Sequence, residues 1–274
     1  MAVNYAEKFS QKVDERFARE ALTNNIINQD YDFIDAETVK VYTVETSAMN
    51  DYKTTGQNRY GTADELGNSV QTMTLSQDRS FTFTIDNKSL QGTNGAMAEG
   101  KALARQISEV IIPEIDKYRL SKAVAGAETT HVGTGAVTKT NAYELVLEGQ
   151  SKLDDALVPS AGRVLHVSPK FYKLIKLDDT FVKNSDLGQE ITIKGQVGMI
   201  DGVPVVLTPT TYLPTGVEFV IAHSAAITSP VKLQDYKIHD NPPGINGKLV
   251  EGRIRYDAFV LDAKKKAIYV HKTA

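Results

Sequence analysis

The chain has no cysteine and no tryptophan. Without cysteine, disulfides, thiolate metal sites, iron–sulfur clusters and thiol catalysis are excluded together. A disulfide-stapled secreted scaffold goes with them. An excess of one charge is also lacking: 31 basic against 34 acidic residues leave a net charge of −3, with no basic field of the kind that grips nucleic acid. No stretch reaches the roughly 20 apolar residues of a membrane span. The opening Met1-Ala2-Val3-Asn4-Tyr5-Ala6-Glu7-Lys8 has no apolar run of signal-peptide length, so a soluble intracellular product is expected. There is no internal repeat and no low-complexity tract.

Catalytic text is equally sparse. No G-x-S-x-G elbow occurs, and Ser168-Pro169-Lys170 falls short of S-x-x-K. The run from Gly95 through Gly100-Lys101-Ala102 comes within one residue of a phosphate-binding loop. It fails at Ala102, where a hydroxyl must hold Mg²⁺, and it follows a polar segment instead of a buried strand. Gly95 is therefore read as a helix start. The five histidines, His131, His166, His223, His239 and His271, include no i, i+4 pair of a helical zinc site and read as structural. Asp154-Asp155 and Asp178-Asp179 read as solvated carboxylates, and Lys264 to Lys266 as a solvated turn. No catalytic, cofactor-binding or metal-binding residue is expected.

What is present is patterned. Tyr5, Phe9, Val13, Phe17 and Ala21 recur every fourth residue among charges of both signs. This predicts an amphipathic helix over 5–23, covering its own domain or laying its stripe on a neighbouring subunit. Residues 38–46 and 80–85 predict strands, the second with Phe81, Phe83 and Ile85 on one face and extended backwards by Val70, Met73 and Leu75. The polar, glycine-bearing stretch 50–68 between them is long for a hairpin loop, and a two-stranded ribbon with such a tip needs a surface to lie on.

From about residue 95 to 125, Leu103, Ile107, Val110, Ile111, Ile115 and Tyr118 predict one long helix with a single buried face. Unbroken, it would span about 45 Å, and Pro113 is expected to kink or split it. The Gly/Thr-rich stretch 128–139 marks the expected domain boundary. Beyond it the pattern is α/β. A helix opens at an Asn141 cap with Glu144 and runs to about 157; a strand covers 163–167; a helix over 170–177 is capped by Ser168 and started by Pro169. Asp201-Gly202 predicts a hairpin turn before a strand at 203–207. A strand at 218–222 leads to a short helical stretch near 223–227. Residues 252–261 and 267–271 are expected to pair as a hairpin around 262–266.

In this order the pieces resemble the major capsid protein of tailed bacteriophages, the HK97-like fold. The local text that carries the resemblance is Gly162-Arg163-Val164-Leu165-His166-Val167-Ser168-Pro169, Gly198-Met199-Ile200-Asp201-Gly202-Val203-Pro204-Val205-Val206, Gly252-Arg253-Ile254-Arg255-Tyr256-Asp257-Ala258-Phe259-Val260-Leu261 and Ala267-Ile268-Tyr269-Val270. It covers essentially the whole chain. The resemblance implies an α+β fold: an N-terminal arm (1–35), an extended β-hairpin E-loop with flanking strands (36–86), a P-domain with a long spine helix (87–136), an inserted α/β A-domain (137–250) and P-domain closing strands (251–274).

It also implies a coat protein that is not an enzyme and has no cofactor. Such a chain self-assembles through pentamers and hexamers into an icosahedral shell around double-stranded DNA, which it holds non-specifically. A scaffolding protein and a portal are the implied partners, without a membrane; assembly is in the host bacterial cytoplasm and the final place is the virion. The candidates for intersubunit contact are Tyr5, Phe9, Val13 and Phe17 on the arm and Lys53, Arg59 and Tyr60 at the E-loop tip. Some members of the family join a lysine of the E-loop to an asparagine. Lys53 is the lysine of this tip, but no motif marks an acceptor or a catalytic glutamate, and that chemistry is not carried over. Two other readings stay open: an encapsulin-type nanocompartment shell of the same fold, and an α/β enzyme with its site near His166 or His223.

Overall fold

One long helix is the shared wall of two hydrophobic cores in this computed structural model, which describes residues 21–28, 30–31, 38–63, 65–88, 99–178 and 196–273. The stripe Tyr5, Phe9, Val13 and Phe17, the helix start at Gly95 and the carboxylate of Asp179 lie outside the described residues. The helix comprises α1 (Glu99–Gln106), a π turn (Ile107–Ile111) and α2 (Ile112–Gly126). Pro113 thus neither ends the helix nor stands in an unbroken α ladder. It falls in the first turn of α2, where its missing N–H costs least. The Ile112 N–H reaches back to the Ile107 carbonyl, the wider i→i+5 spacing of a π turn.

The first half of this helix packs on a three-stranded antiparallel sheet of β4 (Gln77–Asp86), β12 (Gly247–Tyr256) and β11 (Val231–Asp240), with β12 in the middle. Strand alternation sends Phe81, Phe83, Tyr236, Val250, Ile254 and Tyr256 against Leu103, Ile107, Ile111, Ile112 and Ile115. The other face carries the Asp78–Arg253 ion pair, and His239 Nε2 lies 3.3 Å from Glu251 Oε2. Val110, expected on the buried face, is 45% exposed. The π turn inserts a residue into the 3.6 repeat and rotates it outward.

The second half covers a six-stranded sheet of order β5 (Val132–Thr134), β14 (Ile268–Lys272), β9 (Val217–His223), β6 (Arg163–Val167), β8 (Val203–Leu207) and β7 (Gln196–Ile200). On one face Val164, Val220, Ala222, Ile268 and Val270 meet Leu120, Ala123 and Val124 of α2. On the other, Leu165, Val167, Phe219, Ile221 and Tyr269 meet α3 (Ala142–Asp155) and α4 (Pro169–Lys176) through Val146, Leu153, Phe171 and Ile175. The strands are buried on both faces, which is why they read as near-continuous apolar runs. β7 and β8 form the expected hairpin, with Asp201 and Gly202 both at positive φ. A small sheet, β1 (Ile27–Asn28), β10 (Ile227–Thr228) and β13 (Phe259–Val260), closes one side.

Several expectations are corrected. Residues 252–261 and 267–271 do not pair: β12 joins β11 and β4, whereas β14 lies between β5 and β9. The 3₁₀ turn Asp262–Ala267 carries the chain from one sheet to the other. The stretch 128–139 is not a bare linker, because β5 adds to the six-stranded sheet parallel to β14. Residues 223–227 are not a helix: His223 ends β9, 224–226 form a turn and Ile227 begins β10.

Asn141 does not cap α3 with its side chain. It turns back to accept from Thr138 N–H at 2.7 Å and Thr138 Oγ at 3.0 Å. Asp178, expected in solvent, is buried and takes the α3 N-terminus instead. Ser168 does cap α4, accepting from Phe171 N–H at 3.1 Å.

Candidate functional site

A two-stranded ribbon stands apart from these layers. β2 (Thr38–Val44) and β3 (Asn68–Thr74) pair antiparallel from Thr38↔Thr74 to Val44↔Asn68. The ribbon's second strand is therefore β3, while β4, expected to continue it, belongs to another sheet. Period-two alternation gives the ribbon two unlike faces. Val39, Val41 and Met73 turn inward and pack with Leu75, Phe259 and Leu261. Tyr42, Val44 and Val70 turn outward and are exposed.

Beyond the strands the described part of 45–67 is a turn-rich tip. Glu45 N–H continues the ladder to Gly67 O at 3.0 Å, and Lys53 N–H donates to Arg59 O at 2.9 Å. Arg59 Nε donates to Gly56 O at 3.1 Å. Tyr52 and Tyr60 meet edge to face at 5.1 Å. Lys53, Arg59 and Tyr60 thus share one turn. Met49 is 99% exposed and Tyr60 85%. Tyr52 and Tyr60 thus form a small exposed aromatic pair at the tip.

The root of the ribbon is fixed to the body by side chains that sequence reasoning missed. The Gln71 carboxamide acts like a short strand: its Nε2 donates to Val260 O at 2.8 Å, and its Oε1 accepts from Asp262 N–H at 2.9 Å. The buried Asp257 carboxylate accepts four bonds. Ser76 N–H and Ser76 Oγ donate to Oδ2 at 2.8 and 2.7 Å, and Tyr118 Oη and Ala258 N–H to Oδ1 at 2.8 and 2.7 Å.

A second buried cluster holds residues 22–24. Asp116 accepts from Leu22 N–H at 2.9 Å and from Thr23 Oγ at 2.5 Å. Arg119 Nη1 donates to Thr23 Oγ1 at 3.2 Å and Asn24 Oδ1 at 3.0 Å. Burial pushes the Asp116 carboxyl up, against the pull of Thr23. It pushes Arg119 down to about 10, so the guanidinium keeps its charge at neutral pH. The only sequence signal for this cluster is the spacing of Asp116 and Arg119, opposite charges three apart that are flanked by the apolar positions Ile115 and Leu120.

The histidines do not converge. His166 is fully buried and shares a 2.9 Å hydrogen bond with Thr208; His223 is held by Ala161 O and Ala225 N–H; His271 stacks on Phe219. Among the described residues no group of three or more His, Asp or Glu is placed to hold a metal ion, and no helix is long and apolar enough to cross a membrane.

No family model matches the chain, and no curated protein matches it by sequence. Solved structures do match it. One, from Mycobacterium phage Che8, has a TM-score of 0.71 at 17% identity, covering 92% of this chain and 90% of that one. The capsid structure of cyanophage P-SCSP1u gives 0.68 at 14%, covering 88% and 84%. A virus-like particle from Pyrococcus furiosus gives 0.58 at 14%, covering 98% and 100%. The chain therefore has the mixed α+β fold of these phage capsid and virus-like-particle structures.

Proposed function

We propose that the chain is a capsid shell protein, a structural coat subunit that is not an enzyme. The observation that carries this reading is the ribbon: its inner face is buried on its own body, while its outer face and tip hold Tyr42, Val44, Val70, Met49 and Tyr60 in water. In this reading a second copy of the chain covers that exposed outer face and tip. The likeness to capsid structures over nine-tenths of the chain supports the same conclusion.

In this reading residues 1–35 are the arm, 36–86 the E-loop with its strands, 87–136 and 251–274 the P-domain, and 137–250 the A-domain. Tyr5, Phe9, Val13 and Phe17 join Lys53, Arg59 and Tyr60 in contacts between subunits. The subunits close through pentamers and hexamers into an icosahedral shell. The shell encloses double-stranded phage DNA in the host cytoplasm with a scaffolding protein and a portal, and becomes part of the virion.

The near-neutral charge suits this role, since a shell contains DNA without gripping it. The match to a virus-like particle along its full length favours one second reading, an encapsulin-type shell around protein cargo. Negative-stain imaging of the expressed chain tests the first point: closed particles are expected, and a strictly monomeric protein at high concentration would refute it. Nucleic acid or protein recovered from particles in the native host separates the two contents.

A further inference from the structure

The two root clusters are not separate. Asp257, which holds Ser76 at the ribbon root, accepts through its carbonyl from Ser229 Oγ at 2.8 Å. Ser229 Oγ in turn accepts from Arg119 Nε at 2.9 Å. Arg119 donates to Thr23, and Thr23 donates to Asp116. One continuous chain of hydrogen bonds thus runs from Ser76 to Thr23, across the long helix, through residues that are nearly all buried. We infer that this relay is a positioning device: Asp257 and Arg119 set the direction in which the ribbon leaves the body jointly with the point at which residues 22–24 leave α2.

Three physical features carry the inference. Asp116, Arg119 and Asp257 are at most 3% exposed, and a buried charge persists only when its hydrogen-bonding capacity is met. Removing any link therefore strands its neighbour, and the loss passes along the chain instead of being healed by water. Next, the relay joins α2, the chain just after β10 at Ser229, the chain just after β12 at Asp257 and the β3–β4 turn at Ser76, four points far apart in sequence whose relative positions fix the ribbon. Finally, the ribbon's own core is small, Met73, Leu75 and Leu261 with partly buried neighbours, so polar links carry a large share of its orientation. The consequence for assembly rests on the ribbon being the contact surface between copies, but the relay itself can be tested without assembly.

The absence of cysteine makes the test clean. Spin labels at Ala48→Cys on the tip and Ser151→Cys on α3, both exposed positions, report the angle between ribbon and body. Labelled chain is diluted in unlabelled chain so that only distances within one subunit are read. Thr23→Val removes the hydroxyl at the far end of the relay without changing volume, and Thr23→Ser keeps it. A narrow distribution is expected for the parent. Thr23→Val should broaden it about twofold, although the hydrogen bonds of Thr23 go to Asp116, Arg119 and Ile26 and not to the ribbon; Thr23→Ser should restore it. Asp257→Asn should broaden it as well. A Thr23→Val distribution as narrow as the parent's would overturn the relay, whether or not Asp257→Asn broadens. Failure of the parent to form particles would bear on the capsid reading and leave this measurement intact.

Discussion

Tyr143 and Asp178, 35 residues apart, are joined by a 3.2 Å hydrogen bond from the Tyr143 backbone N–H to Asp178 Oδ2. The N-terminus of α3 is capped from another element, and the local candidate Asn141 faces away. Asp178→Ala should therefore cost about 1–2 kcal/mol, measured by urea unfolding. Asn141→Ala should cost less, because it disturbs only the 136–138 turn. A larger effect at Asn141 would contradict the assignment.

Burial pushes His166 down to about 4 from 6.5. The imidazole stays neutral in the fold, while the unfolded chain takes up a proton near 6.5. Stability carried by His166 is thus full above that value and is lost as pH falls towards 4. At the acid end the loss amounts to about 3 kcal/mol at most. His131 is also lowered by burial and acts in the same direction. Asp116 is raised and opposes them, since its proton binds the folded state more readily. The unfolding midpoint should drop between about pH 6.5 and 4.5, and His166→Gln should flatten the slope. An unchanged slope in that variant would assign the acid loss elsewhere.

Leu157 closes α3 at φ +58, 90% exposed. Val158 N–H bonds to Leu153 O at 3.0 Å and Leu157 N–H to Asp154 O at 2.9 Å, the paired bonds of a Schellman end in which glycine is the usual left-handed residue. Leu157→Gly relieves the backbone and removes an exposed side chain. It should raise stability by about 1 kcal/mol, seen as a higher denaturant midpoint with unchanged m value.

At the tip the expected result is a separation of two readouts. Met49→Ser and Tyr60→Ser touch only exposed positions and should change unfolding free energy by less than about 0.5 kcal/mol. In the capsid reading both should lower particle yield, read by sedimentation. Phe9→Asp and Phe17→Asp test the proposed arm contacts in the same assay. Parental yield from all four variants would remove the proposed contact surfaces.

Periodicity made much of this architecture legible. The helix stripe Leu103, Ile107, Ile111 and Ile115, the alternation at Phe81 and Phe83, the Ser168-Pro169 start and the Asp201-Gly202 turn are local signals, and each gave the right element. What stayed hidden depends on distant partners. Nothing near Asp178 says that it serves α3. Gln71 and Asp257 sit in ordinary strand-edge text, and their roles exist only once Val260 and Ser76 are brought beside them. Val110 was misplaced because a π turn leaves no trace in a 3.6 repeat. The mistaken C-terminal hairpin followed from adjacency: two strands with a short link usually pair, but residues 262–267 turn the chain into another sheet.

That crossing at 262–267 has a consequence for the order of synthesis. β14 is an interior strand, hydrogen-bonded to β9 on one side and β5 on the other, yet it is the last strand of the described chain. Until it arrives, β9 presents a bare hydrogen-bonding edge, and β5 has no sheet to join. Such long-range pairing is slow, and an open apolar edge invites pairing with other chains. Chains truncated before residue 268 should therefore accumulate in the insoluble fraction.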